Sequence, residues 1–184
     1  YRGRIIDPHH RAVVVDVARA GILPAQVCQR SLLEFLDVDA VRVDHFYLQR
    51  IADPVTGELL GVDMSGSKIG GPVEGATVYV PDPMGASGST VRHVIRHYHD
   101  SVEGRERRII ACHLMVTPEY LRQTTTEFPD VLVYALRVDR GLSPPDVLET
   151  PLGERWDEER GLNDHAYIVP GAGGMGEVIN NSFV

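Results

Sequence analysis

Four short segments of this chain are apolar almost without interruption, and each gives way to a turn or to a stretch with helical spacing. They are RAVVVDVARAG at 11–21, ATVYV at 76–80, RIIACHLMV at 108–116 and VLVYALRV at 131–138. A strand with one face in water alternates apolar and polar residues, whereas a strand apolar along its length is covered on both faces. Between these runs, LPAQVCQRSLLEFL (23–36) has helical spacing, with Pro24 near its start, where a missing N–H costs least. The segments at about 90–99 and 118–128 (PEYLRQTTTEF) read as further helices. Strands alternating with helices predict an α/β fold, a parallel sheet flanked by helices. Ligands of such sheets sit beyond the carboxyl ends of the strands.

Other segments depart from this rhythm. AVRVDHFYLQR (40–50) alternates Val41, Val43, His45 and Tyr47, as a half-buried strand does. Turn chemistry follows in DPVTGE (53–58), and LLGVDM returns, which predicts a hairpin or extended arm over about 40–68. Residues 143–162, SPPDVLETPLGERWDEERGL, are polar, acidic and proline-containing, and read as an inserted surface loop or lid. The tail, YIVPGAGGMGEVINNSFV, places Gly171, Gly173, Gly174 and Gly176 close together, a run that lets backbone approach a neighbour closely. No internal repeat is visible, and residues 1–184 read as one domain.

Charge and composition exclude several functions. The net charge is −8, and RERR at 105–108 is the one basic cluster, which argues against nucleic-acid binding. No apolar run reaches the roughly 18 residues of a membrane span, and no signal peptide is evident. Cys28 and Cys112 lie in apolar stretches and read as reduced core residues, so a cytoplasmic protein is expected. His93 and His97 stand four apart on a helix, but no carboxylate pattern completes a metal site; His93, His97 and His99 read as a solvated face.

The segment YVPDPMGASGST (79–90) carries the most chemistry. A strand ends, one carboxylate follows, then small residues, then a helix start. Loop amides and a helix N-terminus together favour an anion such as phosphate. Ser87, Ser89 and Thr90 add hydroxyl donors, and Asp82 suits an acceptor for sugar hydroxyls. The segment is neither a Walker A loop nor a GxGxxG turn. An ordinary strand-to-helix turn with capping Ser/Thr is the plainer alternative.

VYVPDPMGASGST resembles the phosphoribosyl-pyrophosphate (PRPP) motif of type I phosphoribosyltransferases, in the form typical of uracil phosphoribosyltransferases: an apolar strand, Asp-Pro-Met, then Leu-Ala-Thr-Gly-Gly-Ser. Asp82, Pro83, Met84, Ala86 and Gly88 match, Ser87 replaces Thr and Thr90 replaces Ser, while Gly85 and Ser89 depart. VARAG (17–21) resembles the family's Leu-Arg-Ala-Gly pyrophosphate turn. His45 and Arg50 match a His-to-Arg spacing on the arm, and LNDHAYIVPGAGGMGE (162–177) resembles the terminal uracil-binding segment.

The resemblance implies a type I phosphoribosyltransferase-like fold with a β-arm and a C-terminal base-binding segment at 163–177. It implies transfer of the phosphoribosyl group of PRPP, bound with Mg²⁺, to uracil, giving UMP and pyrophosphate in pyrimidine salvage. Gly85, Ala86, Ser87, Gly88, Ser89 and Thr90 would then hold the 5-phosphate, behind Pro83 and Met84, with Asp82 on the ribose hydroxyls. Arg19, Ala20, Gly21 and Arg50 would hold pyrophosphate, with Lys68 a looser candidate. Arg19, Arg50 and Asp82 would be the catalytic residues. Tyr167, Ile168, Gly173, Gly174 and Met175 would surround uracil, and no metal is expected on protein ligands alone. A homodimer or higher homo-oligomer is expected from the family. Two departures keep alternatives open. Gly174 stands where the family has Asp, and the insertion at 143–162 splits a run continuous in the family. A transferase for another base, or a PRPP- or nucleotide-binding regulator without this activity, is therefore also compatible with the sequence.

Overall fold

The computed structural model describes residues 5–52 and 59–181, without the side chains at 50, 52, 59, 60 and 62. Seven strands form one sheet: β1 (Ala12–Ala18), β2 (Val41–Ala52), β3 (Leu59–Lys68), β4 (Thr77–Pro81), β5 (Met84–Gly85), β6 (Arg108–Val116) and β7 (Leu132–Val138). The sheet runs β3-β2-β1-β4-β6, with β7 on the far side of β6. All pairings are parallel except the arm, where β3 runs antiparallel to β2. The turn expected at 53–58 lies outside the described residues. β5 resumes the line of β4 beside β6 after Asp82 and Pro83, so the loop at 82–88 starts from the carboxyl edge of the sheet.

The runs apolar throughout became strands because both faces of β1 and β4 are used. On one face Val13, Val15, Val17, Val78 and Val80 pack with α2 (Ser89–Ser101) and α3 (Pro118–Glu127) through Val91, Val94, Ile95 and Tyr120. On the other, Ala12 and Val14 pack with Ala25 of α1 (Ile22–Leu32) and with Leu36 and Val41. Here the structure corrects the expectation of full two-sided cover. α1 lies over β1 and its neighbours only, and on β7 Tyr134 and Leu136 remain 60% and 83% exposed.

Thr117-Pro118-Glu119 starts α3 cleanly. The Thr117 hydroxyl accepts from the Tyr120 amide at 3.0 Å, and Pro118 occupies the first turn, where its missing N–H is harmless. The root of the arm is fixed by buried Asp44. It accepts from Arg42 Nε (3.0 Å), the Gly70 amide (2.9 Å) and the Tyr98 hydroxyl (2.7 Å), tying β2 to the strand exit and to α2. Burial and the Asp44 carboxylate both raise the Tyr98 pKa, so its proton stays to donate.

The insertion at 143–162 is a folded shell over α3, containing the short α4 (Pro145–Leu148) and a 3₁₀ turn at Trp156–Glu158. Arg122 of α3 donates to the carbonyls of Trp156 (2.6 Å) and Glu159 (3.0 Å), and its guanidinium lies 5.4 Å from the Trp156 ring centroid. Glu159 is fully buried and pairs with Arg140 at 2.8 Å. Cys28 and Cys112 are free and half-buried, and burial pushes the Cys28 thiol up to about 11.

Candidate functional site

The carbonyl groups of the loop at 82–87 are all engaged within the protein. That of Asp82 faces His113 Nδ1 at 2.6 Å, and that of Pro83 accepts from the Leu114 amide at 3.0 Å. Met84 accepts from the Ala86 amide (3.2 Å), Gly85 from the Thr117 amide (3.0 Å) and Ala86 from the Thr117 hydroxyl (2.7 Å). Ser87 accepts from Arg92 Nη1 at 3.1 Å. Carbonyls drawn inward leave the opposite side of the loop to amides and hydroxyls. Among the described residues, the Ser87 and Gly88 amides donate to no protein acceptor. Gly88, at φ 74°, turns the chain into α2, whose N-terminal partial charge adds to the same field. This arrangement suits an oxyanion with several oxygens.

The loop forms one side of a cavity of about 650 Å³ at the carboxyl edge of the sheet. Asp82 and every residue from Met84 to Thr90 line it, as do Arg19, Ala20, Tyr167, Ile168, Gly173, Gly174 and Met175. Segments separated by about 150 residues of sequence therefore meet around one space. Pro83 and Gly21 do not line it. The Pro83 carbonyl is held by β6, and a Cβ on Gly21 would lie 2.7 Å from the Val17 carbonyl oxygen, so Gly21 serves close packing at the start of α1. Lys68 is exposed, paired with His45 across the ladder, and absent from the cavity wall. Arg50 lies on β2 opposite Val62, and its side chain is outside the described residues. His45 Nδ1 contacts Asp16 at 2.9 Å. Among α2 histidines, His97 packs edge-on against Phe46 and His99 meets Glu106 at 3.0 Å, so the helix face is partly engaged rather than wholly solvated.

No residue of 143–162 lines the cavity, so the insertion is a shell and not a lid in this structure. The glycine-rich tail is held by a residue that sequence reading missed. Buried Asp139, just after β7, accepts from the Gly171 amide at 2.8 Å and from Arg137 at 2.9 Å. The tail then enters α5 (Met175–Asn180), which touches the Arg19 turn. Asn180 Nδ2 donates to the Arg19 carbonyl at 3.1 Å, and Glu177 lies 3.5 Å from the Arg19 guanidinium. A Cβ on Gly174 would stand 2.7 Å from Glu177 Oε2. The carboxylate of Glu177 thus occupies the space that a side chain at 174 would need. The peptide bond between Ala18 and Arg19 is cis.

Tyr120, His113, Tyr47 and Gln49 also contribute to the site or its floor without any sequence signal of their own, and Glu177, the last residue of the segment that resembles the base-binding motif, lines the cavity as well. The Asp82 carbonyl can only accept, so His113 Nδ1 carries the proton. His113 Nε2 then accepts from the Tyr120 hydroxyl at 2.7 Å. Burial lowers the His113 pKa, against an opposing pull from Asp82, and burial raises that of Tyr120. Both groups are neutral at pH 7. Among the described residues no cluster of three or more His, Cys, Asp or Glu side chains could hold a metal, and no helix is long and apolar enough to cross a membrane.

A family model described as uracil phosphoribosyltransferase matches residues 3–158, which leaves the segment at 163–177 outside the match. A uracil phosphoribosyltransferase of Methanococcus maripaludis (strain C6) is 33% identical over 101 residues, 55% of this chain and 34% of that protein. One from Thermococcus gammatolerans is 26% identical over 176 residues, 96% of this chain and 64% of that protein. A solved protein from Aquifex aeolicus superposes with a TM-score of 0.63 at 23% identity, covering 92% of this chain and 64% of its own. The chain thus spans about a third to two thirds of the length of these relatives.

Proposed function

The chain belongs to the uracil phosphoribosyltransferase family and has the α/β fold of the type I phosphoribosyltransferases, and on that premise we propose that it transfers the 5-phosphoribosyl group of PRPP to uracil. The carrying observation is one cavity shared by an inward-carbonyl phosphate loop, Asp82, Arg19 and the glycine-rich tail. In this reading the amides and hydroxyls of 85–90 hold the 5-phosphate, and Asp82 accepts from the ribose hydroxyls. Arg19, with the Ala20 backbone, takes the pyrophosphate, and Arg50 of the arm is the second residue assigned to it by the family resemblance. Main-chain groups of Ile168, Gly173 and Met175 read the base beside Tyr167. The C1′–O bond to pyrophosphate breaks with its electron pair going to the leaving group. The bond from uracil N1 to C1′ forms, and the N1 proton leaves to solvent. Catalysis is then positioning plus stabilisation of separated charge.

Mg²⁺ would enter with PRPP. Magnesium is usually held by one or two carboxylates plus substrate phosphates, and Asp82 and Glu177 are the carboxylates lining the cavity. Bound there, the ion would neutralise charge on the diphosphate. A cytoplasmic homodimer working in pyrimidine salvage completes the proposal. A second reading, transfer to a different base, is favoured by Glu177, whose carboxylate fills the space beside Gly174 in the region assigned to the base.

The test is turnover with PRPP, Mg²⁺ and a panel of uracil, cytosine, hypoxanthine, adenine and orotate, with nucleotides resolved by chromatography. UMP from uracil alone supports the proposal, and product from another base moves it to the second reading. No product from any base, with PRPP still bound in calorimetry, would make the chain a binding protein on a transferase fold.

A further inference from the structure

We propose that Tyr120 and His113 are a buried positioning pair that sets the height of the loop at 82–88, and so governs affinity for the phosphate-monoester end of the substrate. This inference rests on the functional reading above. Tyr120 is fully buried, yet its ring lines the cavity directly beneath the loop. A Cβ on Gly85 would lie 3.1 Å from the Tyr120 ring, and one on Gly88 would lie 2.9 Å from it. The loop backbone therefore rests on that ring with no side chain between.

The hydroxyl decides where the ring stands. It donates to His113 Nε2 at 2.7 Å, and the two rings meet edge to face at 4.8 Å between centroids. His113 Nδ1 in turn donates to the Asp82 carbonyl at 2.6 Å. One chain of contacts thus runs from the residue assigned to the ribose hydroxyls, through His113 and Tyr120, to the glycines that face the phosphate. Thr117, on the same turn as Tyr120, pins the Gly85 and Ala86 carbonyls. The side-chain hydrogen bonds of His113 and Tyr120 run to each other and to the Asp82 carbonyl, which places the pair at the phosphate and ribose end of the cavity.

Tyr120→Phe removes the hydroxyl and keeps the ring. Calorimetry measures PRPP binding directly, and ribose 5-phosphate and pyrophosphate are measured by competition against it. Losing one buried hydrogen bond and stranding His113 Nε2 is expected to weaken PRPP and ribose 5-phosphate about 5- to 30-fold. Pyrophosphate should change by less than about twofold, below the tenfold that 1.4 kcal/mol represents. Equal losses for all three ligands, or none, would overturn the proposal. His113→Leu, which takes the donor from the Asp82 carbonyl and the acceptor from the Tyr120 hydroxyl, is expected to weaken PRPP and ribose 5-phosphate with pyrophosphate again nearly unchanged. Ribose 5-phosphate affinity that simply tracked thermal stability across the two variants would make the pair ordinary packing and sink the inference. A wild-type protein that binds neither PRPP nor ribose 5-phosphate would overturn the functional reading itself, and the inference with it.

Discussion

Neutralising Glu159 tests whether the insertion is scaffold or machinery. Its carboxylate is fully buried, accepts from Arg140 at 2.8 Å and from the Gly153 amide at 2.7 Å, and has one oxygen with no partner among the described residues. Arg140 is only 16% exposed, so Glu159→Gln strands a guanidinium with little access to water. Removing one member of a buried pair costs about 3–5 kcal/mol. Arg140 keeps its bond to the Thr150 carbonyl at 2.6 Å, which places the cost at the lower end. In a protein of this size about 3 kcal/mol corresponds to a fall in Tm of roughly 6–12 °C. The chain has a single tryptophan, Trp156, inside the insertion and beside Arg122, so its fluorescence reports this unit directly during heating. Because no residue of 143–162 lines the cavity, KM for PRPP and for the base at 25 °C should stay within about twofold of wild type. A Tm change under about 2 °C would refute the energetic argument. A large KM change well below Tm would refute the scaffold assignment and restore the lid.

Two further outcomes follow from the loop. Gly88→Ala forces a Cβ into left-handed backbone at φ 74° and within 2.9 Å of Thr124 Oγ1, so it should lose about 2 kcal/mol or more in urea unfolding and weaken PRPP binding. Ser89→Ala removes only a hydroxyl and should leave stability near wild type; equal destabilisation by the two variants would contradict the glycine argument. Burial lowers the His113 pKa, so the unfolded chain takes up a proton that the folded one resists. That part of the stability is full above the unfolded value of 6.5 and declines as pH falls below it. Urea midpoints at about pH 7.5 and about pH 5 should differ more for wild type than for His113→Gln, and identical differences would remove His113 as the cause.

The strand at 108–116 was legible residue for residue, and the helices after the Arg-Ala-Gly turn and after the phosphate loop were legible within a few residues. Periodicity and capping act over one turn or one strand, so a single sequence carries them openly. The run at 131–138 misled in one respect. Its apolar composition is that of a doubly covered strand, but cover depends on whether a helix reaches the sheet edge, and among the described residues none covers Tyr134 and Leu136. The insertion misled in another, since polar and acidic composition marks exposure and says nothing of a buried Arg140–Glu159 pair.

By itself the sequence determined the alternation of strands and helices, the loop from Asp82 to Thr90 with its small residues, and the Arg-Ala-Gly turn. Each follows from neighbours within about ten residues, whose backbone preferences are local. Tertiary structure alone decided that His113 and Thr117 would turn loop carbonyls inward and that Tyr120 would carry its glycines. It also decided that Asp139 would hold the tail. The physical reason is separation. His113 and Thr117 reach their loop partners across 31 residues of sequence, and Asp139 reaches Gly171 across 32. Such contacts exist only once parallel strands and the helices on them have placed their carboxyl ends side by side.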